Sequence, residues 1–526
     1  TPPNVSIISP TNNSTVNTSS ITVTGTASDP SGVSSVTVNG VNAQTTNSYS
    51  NWTANVTLTE GANTLNIRAV DSRNNIANSS ITVTYTVPVG GSTIWAEKNG
   101  TASLDYAFSV AMDSRSNCDG LGGTDCFVIA GQSNYGAYLA KYNSSRTLLW
   151  QQPLSLGSVN DVVIDSQGNI FITGNFYGGL SFGNGVQVIG FSGYNAFVAK
   201  YSSTGLAQWA KWYGNDVFDD LPFESGEGIA LDSSGNIYVT GTMISDGVGT
   251  VNLGCETFTG SRSFIIKLNS SGSCIWSKSF AGSHWFEDIV TDSFGNVYVT
   301  GSVYGSATFG VTTISNTGQE LFIVKYNSSG VLQWVRDNVP AGAQATNSRG
   351  YSLSLDSTGN VYVTGFFTFA QNFGGSVLTP SGPNDIILAK YRVSDGGHVW
   401  SKRFGGPGGG NVSTTIESGH GVTVNSDGSV FLVGKTAFTP IDLGAGAQVS
   451  SGIGYKIFAS KYDSLGNYVW GRIIASSAGY AWSNTVTLDI AGNPIVVGNF
   501  TGIIDLAGST LTSSGGFDIF IWKLAK

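Results

Sequence analysis

Acidic side chains are the residues of this sequence whose spacing most readily suggests chemistry. One short stretch carries four carboxylates: Asp216, Asp219, Asp220 and Glu224. Carboxylate oxygens at such spacing can coordinate Ca²⁺. A solvated acidic loop that binds no metal explains the same spacing and is the commoner case. Calcium is therefore the one cofactor that the sequence leaves open, with these four residues as its candidate ligands.

Two carboxyl groups that face each other could also hydrolyse a glycosidic bond. The candidates are four acidic residues in neighbouring connections: Glu224, Glu227, Glu287 and Asp288. Nothing in the sequence fixes the distance between them. Other catalytic signatures are missing, since the three histidines lack metal-binding spacing and neither GxSxG nor GxxxxGK[ST] occurs. We therefore expect no enzymatic activity, and a secreted carbohydrate-active enzyme ranks third among the functions.

Three tryptophans suggest a different chemistry, which is stacking on sugar rings. Seven of the twelve tryptophans recur at one place in a repeated pattern, whereas Trp212, Trp285 and Trp482 lie in or beside its variable connections. Such connections commonly carry binding sites, and exposed aromatic rings stack on saccharides. The sequence therefore predicts a glycan-binding site at these three residues. The alternative is that the rings cover the hydrophobic core from above.

The charge and hydropathy of the chain argue against two kinds of partner. Charged residues make up 11% of the 526 residues, and the net charge is −9. Because no basic cluster is present, we expect no binding to nucleic acid. No apolar run reaches the ~18 residues of a membrane-spanning helix, so we expect no membrane span.

Cysteine usage predicts an oxidising compartment. The four cysteines form two local pairs, Cys118 with Cys126 and Cys255 with Cys274, and neither pair has zinc-type spacing. Two disulfides are the favoured interpretation, and four buried free thiols are the alternative. The chain begins at Thr1, as a product without its signal peptide would, and thirteen Asn-x-Ser/Thr sequons permit glycosylation. We therefore predict a secreted or cell-surface glycoprotein.

Residues 1–88 have the pattern of a β-sandwich. Apolar and polar residues alternate in short runs such as Ile21-Thr-Val23-Thr, and turn signals such as Asn39-Gly40 separate the runs. A period of two is typical of strands with one buried face. About seven such strands without a helical pattern favour an immunoglobulin-like β-sandwich. The stretch resembles the bacterial immunoglobulin-like modules of surface and secreted proteins.

Residues 92–526 contain three marks that each occur seven times in a fixed order. The first mark is a turn, usually Asp-x-x-Gly-Asn, that begins at Asp113, Asp165, Asp232, Asp292, Asp356, Asn425 and Asp489. The second is a lysine that ends an apolar strand: Lys141, Lys200, Lys267, Lys325, Lys390, Lys461 and Lys523. The third is a tryptophan that opens the next strand: Trp95, Trp150, Trp209, Trp276, Trp334, Trp400 and Trp470. We expect one four-stranded sheet per repeat, with structural roles for all three marks.

These marks closely resemble the seven-bladed β-propeller repeat family of secreted bacterial and archaeal proteins. The resemblance implies an all-β chain with a sandwich at residues 1–88 and a propeller at residues 89–526. It also implies secretion, but no particular activity. Because Trp95 precedes the first turn and no tryptophan follows Lys523, we expect residues 93–100 to complete the last blade and close the ring.

The favoured function is structural or adhesive. We expect a surface appendage or a filament subunit that self-associates or binds other surface proteins, because a charge-poor sandwich precedes a rigid ring. The N-terminal segment, which Pro2, Pro3 and Pro10 bracket, can pair within its own sandwich or add to the edge of a neighbour. A glycan-binding module is the second choice, and the carbohydrate-active enzyme is the third.

Overall fold

The structure is a computed structural model that describes the whole chain except residues 17–19, 87–88, 121, 215–222, 245–249, 283, 341–346, 408–416, 438–439 and 449–453. The chain divides into two compact units, Thr1–Ile94 and Trp95–Lys526. Within the described ranges the chain forms strands, turns and loops and contains no helix, hence none that could span a membrane. The expectation of an all-β chain is confirmed for this part.

The first unit contains two sheets around a hydrophobic core. Its strands are β1 (Asn4–Ser9), β2 (Ser14–Val16), β3 (Ser20–Ser28), β4 (Val33–Val38), β5 (Val41–Asn42), β6 (Trp52–Thr57), β7 (Gly61–Asp71) and β8 (Ile76–Tyr85). One sheet has the order β1-β3-β6 and the other has the order β2-β8-β7-β4-β5. Buried and exposed residues alternate along β6, because successive side chains of a strand point to opposite faces.

The N-terminal segment pairs within this first unit. Strand β1 runs antiparallel to β3, with Val5 opposite Ala27. Of the two arrangements that the sequence leaves open, the intramolecular one is therefore present. Trp52 is 1% exposed in the core, and Gly25 makes room for it, since a Cβ at position 25 would lie 2.3 Å from the indole ring.

The second unit begins within β9. Its strands are β9 (Thr93–Asn99), β10 (Asp105–Asp113), β11 (Cys126–Ser133), β12 (Gly136–Tyr142), β13 (Leu148–Ile164), β14 (Ile170–Gly183), β15 (Val186–Tyr201), β16 (Ala207–Tyr213), β17 (Phe223–Leu231), β18 (Ile237–Ile244), β19 (Val251–Asn252), β20 (Thr257–Phe258), β21 (Arg262–Leu268), β22 (Cys274–Ala281), β23 (His284–Thr291), β24 (Val297–Phe309), β25 (Thr312–Tyr326), β26 (Leu332–Asp337), β27 (Val339–Pro340), β28 (Ser348–Leu355), β29 (Asn360–Phe367), β30 (Gln371–Asn372), β31 (Val377–Leu378), β32 (Asp385–Arg392), β33 (His398–Phe404), β34 (Ser418–Val424), β35 (Val430–Thr436), β36 (Ile441–Asp442), β37 (Ala447–Gln448), β38 (Lys456–Tyr462), β39 (Tyr468–Ala475), β40 (Ala481–Leu488), β41 (Pro494–Phe500), β42 (Ile503–Asp505), β43 (Thr510–Thr512) and β44 (Asp518–Leu524).

Most of these strands pair in antiparallel groups of four, one group for each repeat of the sequence. We number the groups sheets 1 to 7: β10-β11-β12-β13, β13-β14-β15-β16, β17-β18-β21-β22, β23-β24-β25-β26, β28-β29-β32-β33, β34-β35-β38-β39 and β40-β41-β44-β9. Strand β13 serves two sheets, because its first half pairs with β12 and its second half pairs with β14. In sheet 7 the strand β9 lies beside β44, far away in sequence.

The three sequence marks meet at the joints between neighbouring sheets. In sheet 1 the buried Lys141 Nζ lies 2.7 Å from Asp113 Oδ2. The same amine donates to the carbonyl of Ser203 in the next repeat at 3.3 Å, and Trp150 Nε1 donates to that carbonyl at 3.4 Å. The lysines of three other sheets also pair with their turn aspartates: Lys267 with Asp232, Lys390 with Asp356 and Lys523 with Asp489. These lysines, aspartates and tryptophans hold adjacent sheets together.

Both disulfides expected from the sequence are present. Cys118–Cys126 closes the insertion that follows β10, and Cys255–Cys274 ties the segment after β19 to the start of β22. Each bridge joins Cα atoms that are 5.8 Å apart. All four cysteines of the chain are therefore oxidised.

Candidate functional site

A β-bulge interrupts the first strand of every sheet at the same place. In β17, for example, the pairing with β18 shifts between Gly226 and Gly228, so that Glu227 is the extra residue. A β-bulge re-aims a side chain and is frequent beside binding sites. The residues at this position, which we call the bulged residues, are Phe108, Asn160, Glu227, Glu287, Tyr351, His420 and Asn484.

The seven bulged side chains surround one cavity of about 450 Å³. Five of the residues that follow them also line it, and Lys435 adds an amine from the second strand of sheet 6. These five neighbours are Ser109, Asp161, Asp288, Ser352 and Thr485. Because each sheet contributes residues from its first strand, we call this space the axial cavity.

Two carboxyl groups in the cavity wall connect neighbouring first strands. Asp161 Oδ1 accepts a hydrogen bond from Ser109 Oγ at 2.7 Å, and its Oδ2 accepts one from the Ile229 amide at 2.8 Å. Asp288 Oδ2 accepts from the Leu353 amide at 2.6 Å. Burial raises the pKa of Asp161 to about 6 and, together with the charge of Asp161, the pKa of Asp288 to about 7. These bonds give the two aspartates a structural role.

Glu227 and Glu287, on adjacent first strands, have different electrostatic surroundings. Burial and the neighbouring charge of Glu287 raise the pKa of Glu227 to about 7, against hydrogen bonds that favour its ionised form. One of those bonds comes from Asn160 Nδ2, which donates to Glu227 Oε2 at 3.3 Å. Glu287 forms an ion pair with the guanidinium of Arg349. At neutral pH, Glu227 can therefore donate or accept a proton, whereas the guanidinium of Arg349 holds Glu287 in place.

Tyr351 and His420 form the neighbouring part of the wall. Their rings meet edge to face, with centroids 5.2 Å apart, and His420 Nε2 lies 2.7 Å from Ser418 Oγ. Burial and the nearby amine of Lys435 lower the pKa of His420 to about 3, so its imidazole is neutral at physiological pH. The Arg349 guanidinium lies 5.4 Å from the Tyr351 ring centroid. A phenol and a neutral imidazole can each donate and accept hydrogen bonds.

None of the three tryptophans singled out by the sequence lines this cavity, but intervening side chains connect two of them to its wall. The guanidinium of Arg349 lies 4.9 Å from the ring centroid of Trp285. The ring of Trp482 contacts Phe517 at 4.9 Å, and Phe517 contacts Tyr106 at 5.4 Å. The third, Trp212, lines a separate cavity of about 570 Å³ with Tyr213, Asn252 and Cys274. The structure therefore does not bring the three tryptophans together in one site.

The acidic candidates are also divided. Glu227, Glu287 and Asp288 line the axial cavity, whereas the buried Glu224 does not. Asp216, Asp219 and Asp220 lie outside the described residues, so the calcium site stays a prediction. Within the described part of the chain, no group of three or more acidic, histidine or cysteine side chains could hold a metal ion.

Five of the seven bulged residues were not predicted as site residues from the sequence, namely Phe108, Asn160, Tyr351, His420 and Asn484. The side chains at the bulged position differ between the repeats, so no residue type recurs there. A signal does exist in the spacing, because each bulged residue stands five positions before the first residue of its turn. Glu227 precedes Asp232 in this way, and His420 precedes Asn425.

Two families match parts of the chain. Residues 3–87 match glucodextranase, domain B, which is an immunoglobulin-like domain. Residues 225–245 match the β-propeller repeat, and this stretch contains the bulged Glu227 and the turn at Asp232. Neither match covers half of the chain. No curated protein matches it.

Solved structures with some similarity are remote. A protein of unknown function from Bacteroides caccae is 13% identical, over 66% of this chain and 93% of its own, with a TM-score of 0.34. The fibronectin(III)-like modules of Clostridium thermocellum CbhA are 16% identical, over 40% and 91%, with a TM-score of 0.15. Domains 4–9 of surface layer protein SbsC are 12% identical, over 89% and 81%, with a TM-score of 0.14. Such low scores support no statement about the fold or function of this chain.

Proposed function

We propose that this chain is a secreted adhesive protein whose second unit is a seven-bladed β-propeller that binds saccharides at its axis. Support for the ring comes from the first strands: each contacts that of the next sheet, and β40 contacts β10. Between sheets 7 and 1, Asn484 Nδ2 of β40 donates to the carbonyl of Ala107 at 2.6 Å, and the Ala107 amide donates to Asn499 Oδ1 of β41 at 2.9 Å. Strand β9 then serves as the fourth strand of the last blade.

The observation that carries the proposed function is the convergence of seven bulged side chains on one cavity. Sugar hydroxyls donate and accept hydrogen bonds, and sugar C–H faces pack on aromatic rings. The amides of Asn160 and Asn484 and the carboxylate of Glu287 suit the hydroxyls. The rings of Phe108 and Tyr351 suit the C–H faces. The volume lies within the roughly 300–1,000 Å³ of ordinary small-molecule sites.

The charges of the cavity favour a neutral saccharide over an anionic ligand. Four carboxyl groups line the cavity, and the nearby cations are Arg349, which pairs with Glu287, and Lys435. A phosphate or nucleotide would be repelled by these carboxyl groups, because like charges are brought together in a partly desolvated site. The two disulfides are compatible with an extracellular location, where saccharides of surfaces and matrices are the available partners.

The test is binding to an array of immobilised oligosaccharides, followed by titration with those that bind. We expect Glu287→Gln to weaken binding about tenfold or more, because a hydrogen bond to a charged group is worth roughly 1.5–3 kcal/mol. Tyr351→Phe keeps the ring and removes only a neutral hydroxyl, worth roughly 0.5–1.5 kcal/mol, so it should weaken binding about two- to tenfold. Phe294→Ala is the control, since this ring is 82% exposed in the turn at the other end of β23. Absence of binding to every saccharide, or equal binding by all variants, would contradict the proposal.

A filament or appendage subunit is the second candidate, and the edges of the first unit favour it. Strands β1 and β5 end their sheets, and both expose apolar side chains, Ile8 at 60% and Val41 at 44%. Exposed apolar edge strands can pair with another chain. Electron microscopy and light scattering of the full chain test this candidate. Monomers at high concentration would contradict it, and Ile8→Lys should dissociate any filament that forms through β1.

A further inference from the structure

We call the seven residues that stand two positions before the bulged residues the rim. They support the bulged residues: Ser158 Oγ donates to Asn160 Oδ1 at 2.6 Å, and Arg349 pairs with Glu287. The seven members of this rim are Tyr106, Ser158, Ser225, Trp285, Arg349, Ser418 and Trp482. Large planar side chains occur in sheets 7 and 1 and in sheets 4 and 5, whereas sheets 2, 3 and 6 carry serine.

The first aromatic platform lies where sheets 7 and 1 meet. Tyr106 stacks on Phe108 of the cavity wall, with centroids 6.0 Å apart and planes 6° apart. Outward from there, Phe517 contacts Tyr106, Trp482 and Tyr480 in turn, the last at 6.3 Å. Tyr480 is 52% exposed at the outer end. A continuous row of rings therefore leads from the cavity to the surface.

The second platform lies across the ring, in sheets 4 and 5. Arg349 is held against Trp285 and Tyr351, with its guanidinium 4.9 and 5.4 Å from their ring centroids, and Glu287 fixes it by an ion pair. Tyr351 belongs to the cavity wall, and Trp285 lies one step further out. The platform is thus preorganised, and its planar groups can pack on a ligand without losing much conformational freedom.

From these two platforms we propose that the ligand is an extended polysaccharide chain, with one sugar in the axial cavity and its neighbours on the platforms on either side. This inference rests on the saccharide-binding function proposed above. A single sugar would fill the cavity and leave both platforms without a role. A chain that crosses the mouth between sheets 7 and 1 and sheets 4 and 5 uses the cavity and both platforms.

The test is a titration with gluco-, manno-, xylo- and chito-oligosaccharides, each as a series from the monosaccharide to the hexasaccharide. In one series at least, we expect Kd to fall by about tenfold or more as the chain lengthens beyond the sugar in the cavity. Trp482→Ala and Trp285→Ala should each lower the affinity for the longer oligosaccharides by a larger factor than the affinity for the shortest ligand that binds. Phe294→Ala should behave as the wild type.

Tyr480→Ala tests the same inference if the tryptophan variants do not fold, because this exposed ring can be removed without opening the core. It should reduce only the affinity for long chains. Binding that does not depend on chain length, or platform variants that keep the full gain, would overturn the inference and leave the proposed function intact. If no saccharide of any length binds, the proposed function itself fails, and the inference fails with it.

Discussion

Replacement of Trp95 by alanine tests whether β9 closes the second unit. The Trp95 ring lies 6.0 Å from Phe127 of sheet 1, and the Arg146 guanidinium lies 5.7 Å from its centroid. The same ring packs on a hydrophobic cluster that includes Ile495 and Ile521 of sheet 7. Trp95 therefore contacts residues of both the first and the last sheet, and we expect its loss to weaken the contact between them.

The magnitude follows from these contacts. Truncation of a fully buried tryptophan costs about 3–5 kcal/mol, so the half-buried Trp95 should lose about 2 kcal/mol of burial. The aromatic pair with Phe127 adds about 1 kcal/mol. The free energy of unfolding of the second unit should therefore fall by about 3 kcal/mol. At about 1–2 °C per kcal/mol for a unit of this size, Tm falls by about 3–6 °C.

The assay is differential scanning calorimetry of the full chain. Trp52→Ala is the matched control, because Trp52 is buried in the first unit and its loss should lower the transition of that unit alone. Trp95→Ala should lower the transition of the second unit alone. The reasoning is refuted if the second transition keeps its Tm, because β9 would then contribute nothing to closure.

Three further predictions concern the joints, the disulfides and the cavity. Lys141→Met should lower the free energy of unfolding, measured with a chemical denaturant, by about 2–3 kcal/mol. A broken buried ion pair usually costs about 3–5 kcal/mol, but here Arg115 still neutralises Asp113. The control Arg392→Gln, which breaks an exposed ion pair, should change the free energy of unfolding by less than about 0.5 kcal/mol. The unfolded, unreduced chain should show no free thiol in a thiol titration. Reduction should lower the free energy of unfolding by about 2–3 kcal/mol per bridge. Thiols that react before reduction would contradict this prediction. The pKa of Glu227 lies above its ordinary value, so ionisation of this side chain should lower Tm as the pH rises from 5 through about 7. Glu227→Gln should remove part of that loss. If the variant shows the same dependence of Tm on pH as the wild type, the raised pKa of Glu227 is contradicted.

The sequence predicted the strand pattern because local chemistry repeats. The turn at Asp292 shows why: its carboxylate accepts from the amides of Phe294 and Asn296, and Gly295 has a φ of 74°, which favours glycine. The same residue types therefore recur at the turn positions of the repeats. The cysteine pairs were equally visible, since their short separations suit local bridges.

The site was only partly predictable from the sequence. A β-bulge is a shift in strand register, and no particular residue type marks its position. Glu227 and Glu287 stood out by charge, whereas Asn160 and Tyr351 did not. Position relative to the turn also separates the tryptophans. Trp285 and Trp482 each stand seven residues before the first residue of a turn, and Trp212 does not, since it lies in the fourth strand of sheet 2.

The most direct test of saccharide binding in the axial cavity is a crystal structure of the chain with the oligosaccharide that binds most tightly. The account predicts one sugar ring among the bulged residues, with its hydroxyls within hydrogen-bond distance of Asn160, Glu287 and Tyr351. A ligand bound elsewhere, for example at Trp212 or on the first unit, with an empty axial cavity would contradict it.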